Sequence, residues 1–331
     1  GPGFSRRLAH MECNIRRALQ PRSAARRTLL LALASQSASP LFMPLGALAQ
    51  SGSLLTRPIP SSGEALPVIG LGSWITFNVG NDSVARDNCA EVMRTFFAAG
   101  GRVIDSSPMY GSSHEVIGYG LGKLTKAGLQ TPVFAADKVW ISSAARGRHQ
   151  IEMSRQHWNL RRRFDLLQVH NLLAWQEHLP MLLAMKAAGQ VGYVGITTSE
   201  GRRHREFEQI MASQPLDFVQ VTYNVLDREV EQRILPLARE RRMGVIVNRP
   251  FREGALIRSM VRHPLPPWAA EIDCSNWAQL LLKFIVSHPA VTCAIPATSS
   301  VAHVRENMGA AYGRLPDESM RRRLIAHVEK L

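Results

Sequence analysis

Asp105, Tyr110, Lys138 and His170 are the residues of this chain whose types and spacing could together move a proton. Each ends or follows a short apolar run: Val103-Ile104-Asp105, continuing through Ser106-Ser107-Pro108-Met109 to Tyr110-Gly111; Ala135-Ala136-Asp137-Lys138; and Leu167-Gln168-Val169-His170. An unperturbed tyrosine, with a pKa of about 10, is a poor acid near neutrality. A nearby Lys⁺ favours the tyrosinate and lowers that value. Asp105 can pair with Lys138 and hold it. His170 can donate to, or orient, a carbonyl oxygen, and Tyr110 can protonate that oxygen as hydride reaches the carbon. Taken singly, a polar residue at a strand end reads as an ordinary cap; the succession of four carries the chemistry.

Elements of a particular kind must position such a group. Apolar runs rich in Val, Ile, Leu and Phe occur at 68–72, 102–106, 132–139, 164–170, 191–197, 218–224, 244–250 and 291–296. They show little alternation, as strands buried on both faces should. Amphipathic stretches near 83–99, 113–124, 150–163, 175–188, 203–213, 229–242, 276–287 and 301–311 separate or follow them. Eight strands alternating with eight helices predict an α/β fold, and the count favours a closed (β/α)8 TIM barrel over an open sheet. In a parallel barrel the chemistry belongs at the carboxyl ends of the strands, where all four residues fall. The stretch 251–275, with Pro264, Pro266 and Pro267, is long enough to predict a functional flap. Residues 316–330 read as an additional helix.

The first fifty residues differ from the rest. They hold seven arginines and one glutamate, which supply +6 of the formal net charge of +14. Arg26-Arg27 precede the apolar run Thr28–Ala34, and Ala47-Leu48-Ala49-Gln50 supplies a small-x-small cleavage pattern. Ser35, Gln36, Ser37 and Pro40 interrupt the apolar stretch, so no stable membrane span is expected. The segment resembles a bacterial twin-arginine export signal, which implies a periplasmic destination; the other reading is a disordered basic tail on a cytoplasmic protein. The expected organisation is therefore a leader over 1–50 and one barrel domain over 51–331. Elsewhere the arginine runs, such as Arg161–Arg163 and Arg321–Arg323, read as solvated helix faces. No basic stripe interleaved with aromatics points to nucleic acid. Cys13, Cys89, Cys274 and Cys293 form no CxxC pair, and His114-Glu115 lacks the second histidine of HExxH, so neither a disulfide framework nor a metal site is expected.

The motifs also carry a family likeness. Val68-Ile69-Gly70-Leu71-Gly72-Ser73-Trp74, Ile104-Asp105-Ser106-Ser107-Pro108-Met109-Tyr110-Gly111, Asp137-Lys138-Val139-Trp140 and Leu167-Gln168-Val169-His170-Asn171 resemble signature stretches of the aldo-keto reductase superfamily. The resemblance implies that NADPH, or NADH, is held by strands 5 to 8 without a Rossmann fold. Gly118-Tyr119-Gly120-Leu121-Gly122 is no substitute, because it lies within a helical pattern and follows no strand. By resemblance, Thr197, Thr198 and Gln220 hold the carboxamide, and Asn248, Arg249 and Pro250 occupy the strand-7 position. Thr298, Ser299, His303, Glu306 and Asn307 resemble the phosphate and adenine segment, where backbone N–H groups at a helix start would favour phosphate. Thr298 and Ser299 read equally as helix caps, and Arg249 reads more readily as a solvent-facing side chain than as a substitute phosphate ligand. The sequence departs from the family pattern with Thr198 in place of asparagine and Asn248 in place of the aromatic that stacks on nicotinamide. Ala297 and His303 stand in place of the Lys and Arg that take the 2′-phosphate.

Trp74 and Trp140 fall just past strands 1 and 3, either as walls of a substrate cleft or as packing partners, and Asn171 follows His170 on the same side. The resulting expectation is an NAD(P)H-dependent oxidoreductase that reduces small-molecule aldehydes or ketones to alcohols, with Tyr110 as general acid. The rival is a cofactor-binding regulatory or partner-binding subunit of the same fold with little catalysis. Oligomeric state is left open by the sequence.

Overall fold

The computed structural model of the chain describes residues 52–331. The expected leader, with Arg26-Arg27 and the Ala47–Ala49 cleavage pattern, lies outside the described residues. The described chain begins with an antiparallel hairpin, β1 (Thr56–Pro58) and β2 (Ala65–Pro67), with Thr56 opposite Pro67. Eight strands then pair in parallel and in chain order: β3 (Leu71–Gly72), β4 (Val103–Asp105), β5 (Phe134–Val139), β6 (Leu166–Val169), β7 (Tyr193–Thr197), β8 (Phe218–Thr222), β9 (Gly244–Asn248) and β10 (Cys293–Ala294). Bridges from Ile69 to Ala294 and from Gly72 to Ala297 join the last strand to the first. Gly70 N–H donates to Ala294 O at 2.8 Å and Ala294 N–H to Val68 O at 2.9 Å, so the barrel is closed. A side chain at Gly72 would put its Cβ 2.8 Å from Ile295 O, so the seam needs glycine there.

Alternation along the strands sorts the barrel interior by height. Val103, Phe134, Leu166, Phe218, Ile246 and Cys293 form an apolar lower layer with Ala136 and Ile295. Ile59 and Leu66 of the hairpin region close its floor. Two or four residues further along the same strands come Asp105, Lys138, Gln168 and Gln220, all buried. The same period-2 geometry that builds the core thus carries a polar layer up to the carboxyl mouth. Outside the barrel lie α1 (Ser83–Ala98), α2 (Ser113–Lys126), α3 (Gly147–His157), α4 (Trp175–Ala187), α5 (His204–Ser213), α6 (Ile234–Glu240), α7 (Ala255–Met260), α8 (Trp277–Val286), α9 (Val301–Gly309) and α10 (Glu318–Val328). Side-chain caps start several of them: Asp82 accepts from Ala85 N–H at 2.7 Å and Asp317 from Met320 N–H at 2.8 Å.

The eight expected strands are all present, each of them shorter than its apolar run. Two expectations are corrected, and one element is added. The stretch 251–275 is no bare flap: it contains α7 and a 3₁₀ segment, Pro267–Ile272, and buries Leu256, Met260, Ala269 and Ile272 in the main core. Buried Lys283 of α8 fastens it, donating to Ile272 O at 2.7 Å and Arg314 O at 2.9 Å. The helix expected over 229–242 is a 3₁₀ turn, Glu229–Glu231, followed by the shorter α6. The β1–β2 hairpin precedes the first expected strand.

Candidate active site

At the carboxyl mouth the four singled-out residues come together. Lys138, fully buried, donates to Asp105 Oδ2 at 2.6 Å and to Ser106 O at 2.9 Å. Asp105 Oδ1 accepts from Gln220 Nε2 at 3.0 Å and from Gln168 Nε2 at 3.4 Å. The carboxylate therefore has a partner on each oxygen, which a buried charge requires. The Lys138 ammonium lies 5.1 Å from the centre of the Tyr110 ring, within cation–π range. The Tyr110 and His170 rings meet edge to face with centroids 5.6 Å apart.

Local sequence explains where the phenol sits. Pro108 occupies the second position of a turn closed by Tyr110 N–H to Ser107 O at 3.0 Å, the position its fixed φ suits. Gly111 follows at φ 59°, and a Cβ there would lie 2.3 Å from Asn78 Oδ1. Asn78 in turn accepts from Ser112 N–H at 3.0 Å, tying the turn to the β3 loop.

Electrostatics corrects one expectation. Burial raises the Tyr110 pKa above its ordinary value; Lys138 pulls it back and Asp105 adds to the rise. The ammonium does act in the expected direction, but desolvation of the phenolate outweighs it, and Tyr110 is a protonated acid. Burial opposes the charge on Lys138, yet Asp105 holds its pKa above the usual lysine value. Burial, aided by Lys138, pushes His170 down to about 2, so the ring is neutral.

Above this group opens a cleft of about 390 Å³, a size common for small-molecule sites. Tyr110, His170, Asp105, Asn171, Trp74, Thr197, Gln220, Asn248, Arg249 and Pro250 all line it, as do Ile75, Met109 and Phe251, which the sequence reading missed. Lys138 lies beneath its floor. Trp140 is exposed and is not part of the lining; its backbone is clamped by Gln150, which accepts from Trp140 N–H at 2.7 Å and donates to Trp140 O at 2.8 Å. Thr198 is buried and spends its hydroxyl on Arg202 O at 2.6 Å. Asn248 donates to Thr198 O at 3.0 Å and accepts from Thr222 Oγ1 at 2.6 Å, so a hydrogen-bonded amide stands in the strand-7 position. Arg249 is paired with Glu253 and lies 3.6 Å from Glu200, which answers the question of its partners: carboxylates rather than solvent.

Thr298, Ser299, His303, Glu306 and Asn307 gather at α9, next to Ala297 of the cleft wall but not in the lining. The cap of α9 is Ser300, whose Oγ accepts from His303 N–H at 3.3 Å, rather than Thr298 or Ser299. Thr298 Oγ1 accepts from Ser300 N–H at 3.0 Å, and Ser299 O accepts from Asn88.

Backbone strain marks the same rim. Among the described residues twelve non-glycines have positive φ, and nine lie in loops at this mouth: Ile75; Asn171, Leu172 and Ala174; Glu200 and Arg203; Arg249, Arg252 and Glu253. Such conformations cost roughly 1–3 kcal/mol each and concentrate where function holds them. Ile75 stands out, since a β-branched residue at φ 66° is a rare placement, and its side chain is 58% exposed. No cluster of three or more metal-ligating side chains occurs among the described residues.

A closed parallel barrel with a buried Lys–Asp pair beneath a protonated tyrosine and a neutral histidine defines a class of barrel oxidoreductases. Comparison with known proteins makes the assignment specific: the sequence profile of the aldo/keto reductase family matches residues 68–324, and the chain belongs to that family. It is an NAD(P)H-dependent aldo/keto (carbonyl) reductase. Among its relatives, the NADH-specific methylglyoxal reductase of Escherichia coli is 24% identical over 241 residues, 63% of this chain and 71% of that protein. The L-galactose dehydrogenase of Arabidopsis thaliana is 26% identical over 310 residues, 83% of this chain and 93% of that protein. An aldo/keto reductase from Klebsiella pneumoniae, solved with NADP and acetate, superposes with a TM-score of 0.66 at 24% identity, covering 81% of this chain and 92% of that one; this likeness is one of fold.

Proposed function

We propose that Tyr110 is the general acid of carbonyl reduction here, with His170 as the second hydrogen-bond donor to the substrate oxygen. The observation that carries this reading is the juxtaposition of Tyr110 and His170 in one cleft directly above the Lys138–Asp105 pair. NAD(P)H, when bound, supplies the hydride. The residues present suit a nicotinamide: Thr197, Gln220 and Asn248 bring hydroxyl and amide groups to the cleft beside Tyr110, and Arg202 and Arg249 bring cations to its rim. As negative charge grows on the substrate oxygen, Tyr110 releases its proton to it and Lys138 stabilises the phenolate left behind. Asp105 keeps Lys138 in place and charged, with Gln220 and Gln168 holding Asp105.

On the substrate side, Trp74, Ile75 and Met109 form an apolar wall beside Tyr110, all three more than a third exposed. That wall favours aldehydes and ketones with an apolar or aromatic body over sugars. Tyr110→Phe tests the assignment: kcat for aldehyde reduction should fall by about 10²–10⁴-fold with dinucleotide binding retained. Full turnover in that variant refutes the role of Tyr110.

We also propose that residues 1–50 act as a twin-arginine export signal and that the barrel works in the periplasm. The support is the sequence pattern Arg26-Arg27, the apolar run and Ala47–Ala49. Fused to a reporter, this segment should direct periplasmic export that Arg26→Lys with Arg27→Lys abolishes; a reporter retained in the cytoplasm would rule the proposal out.

A further inference from the structure

Ser107 sits between the turn that carries Tyr110 and the ring of His170. Its Oγ is 2.6 Å from His170 Nδ1, and both residues are buried. We propose that Ser107 is a positioning residue that fixes His170 as the Nε2–H tautomer, so that the ring offers a donor, not a lone pair, to an oxygen in the cleft. This rests on the reading of His170 as a hydrogen-bond donor to the carbonyl.

The direction of the Ser107–His170 bond follows from accounting for hydrogens. Ser107 Oγ already accepts from Met109 N–H at 3.2 Å. A neutral imidazole carries one N–H. Were that hydrogen on Nδ1, it would donate to Oγ, and the serine hydroxyl hydrogen would need a different acceptor. Among the described residues Ser107 Oγ has no other partner, and the residue is 1% exposed. A buried unpaired donor costs roughly 1–3 kcal/mol, whereas donation to an unprotonated Nδ1 pairs both Ser107 Oγ and Nδ1 and leaves the Nε2–H for the cleft that His170 lines. The hydrogen of the ring therefore sits on Nε2.

The opposite tautomer would aim a lone pair at the lone pairs of a carbonyl oxygen. Protonation does not rescue it: with the pKa of His170 held down by burial and Lys138, the ring stays neutral. Tautomer control is thus left to Ser107, and the turn Ser107-Pro108-Met109-Tyr110 aligns both groups that meet the oxygen. Tyr110 is placed by its backbone N–H on Ser107 O, and His170 by the Ser107 hydroxyl.

The test is histidine ¹⁵N NMR on the ligand-free full chain, with the His170 signals identified by their loss in His170→Gln. The wild-type spectrum should show Nδ1 unprotonated and Nε2 protonated. Ser107→Ala should give a mixture of tautomers, and kcat for aldehyde reduction should fall about ten-fold, as expected for one buried hydrogen bond, with dinucleotide affinity unchanged. A purely structural serine would not move the tautomer signal. A protonated Nδ1 in wild type overturns the proposal, as does a Ser107→Ala protein that keeps both the single tautomer and the rate. Neutron density for the wild type decides the case even where the variant does not fold: deuterium on Nδ1, or a Ser107 hydroxyl turned away from it, is fatal. Failure of the underlying reading looks different, because full turnover in His170→Ala would take the ring out of the reaction and leave the tautomer result standing.

Discussion

Two titrating groups set the pH behaviour of the site. Tyr110 must be protonated to act as an acid, and burial raises its pKa above the ordinary value of about 10 despite the pull of Lys138. The acid form therefore persists through neutrality, and kcat should be flat from about pH 6 to 9 and fall only beyond the ordinary tyrosine value. A pH–rate profile with an alkaline limb between 7 and 9 would contradict this. His170 acts on stability instead. Its native pKa is pushed down to about 2, while the unfolded chain takes up that proton below about 6.5. Below the unfolded value the unfolded state binds the extra proton, so stability is complete above it and declines as pH falls, by about 1.4 kcal/mol per pH unit from this residue alone. Half-buried His288, pushed down to about 4, adds to the decline over a narrower range. Urea unfolding at pH 6 and pH 4.5 should show a shallower loss in His170→Gln than in wild type; equal slopes would show that His170 titrates normally.

The loops after the barrel strands hold the strained residues and the apolar wall together. Ile75 is held at φ 66° with most of its side chain exposed, a combination that lowers stability unless the side chain is used. Ile75→Gly should raise unfolding free energy by about 1 kcal/mol, since glycine adopts that conformation without steric cost. In the same variant KM for an aromatic aldehyde should rise several-fold while KM for a small polar aldehyde stays unchanged. A stabilised protein with unaltered selectivity would show that Ile75 makes no substrate contact. The packed stretch 251–275 contributes Phe251, Glu253 and Gly254 to the cleft, while Leu256, Met260, Ala269 and Ile272 anchor it in the core.

At the scale of the molecule the barrel is a closed scaffold whose carboxyl mouth holds the candidate site. No helix among the described residues is long and apolar enough to cross a membrane. Cys89, Cys274 and Cys293 are buried free thiols, and burial pushes Cys89 up to about 11 and Cys274 up to about 12. A dinucleotide that binds the folded barrel stabilises it by mass action, about 2.7 kcal/mol at a hundred times Kd. Tm should therefore rise by several degrees with saturating NADPH or NADH, and comparing the two reads out cofactor preference. No shift with either would contradict dinucleotide binding in the cleft.

Much of this was legible in the chain. Strands buried on both faces need unbroken apolar runs and helices need amphipathic ones, so the barrel and the strand ends at Asp105, Lys138 and His170 could be read directly. The cap at Ser300, the hairpin beneath the barrel and the helices within 251–275 could not, because short polar and proline-rich stretches leave several local conformations open until packing selects one. The sequence by itself determined the residue types and their order around one rim. Only the tertiary structure decided their state: that burial outweighs Lys138 at the Tyr110 phenol, that Trp140 stands outside the lining while Ile75 and Met109 enter it, and that Ser107 meets His170 across 63 positions of chain. Desolvation and hydrogen-bond direction depend on what surrounds a group in space, and neighbours in space are fixed by barrel closure rather than by spacing along the chain.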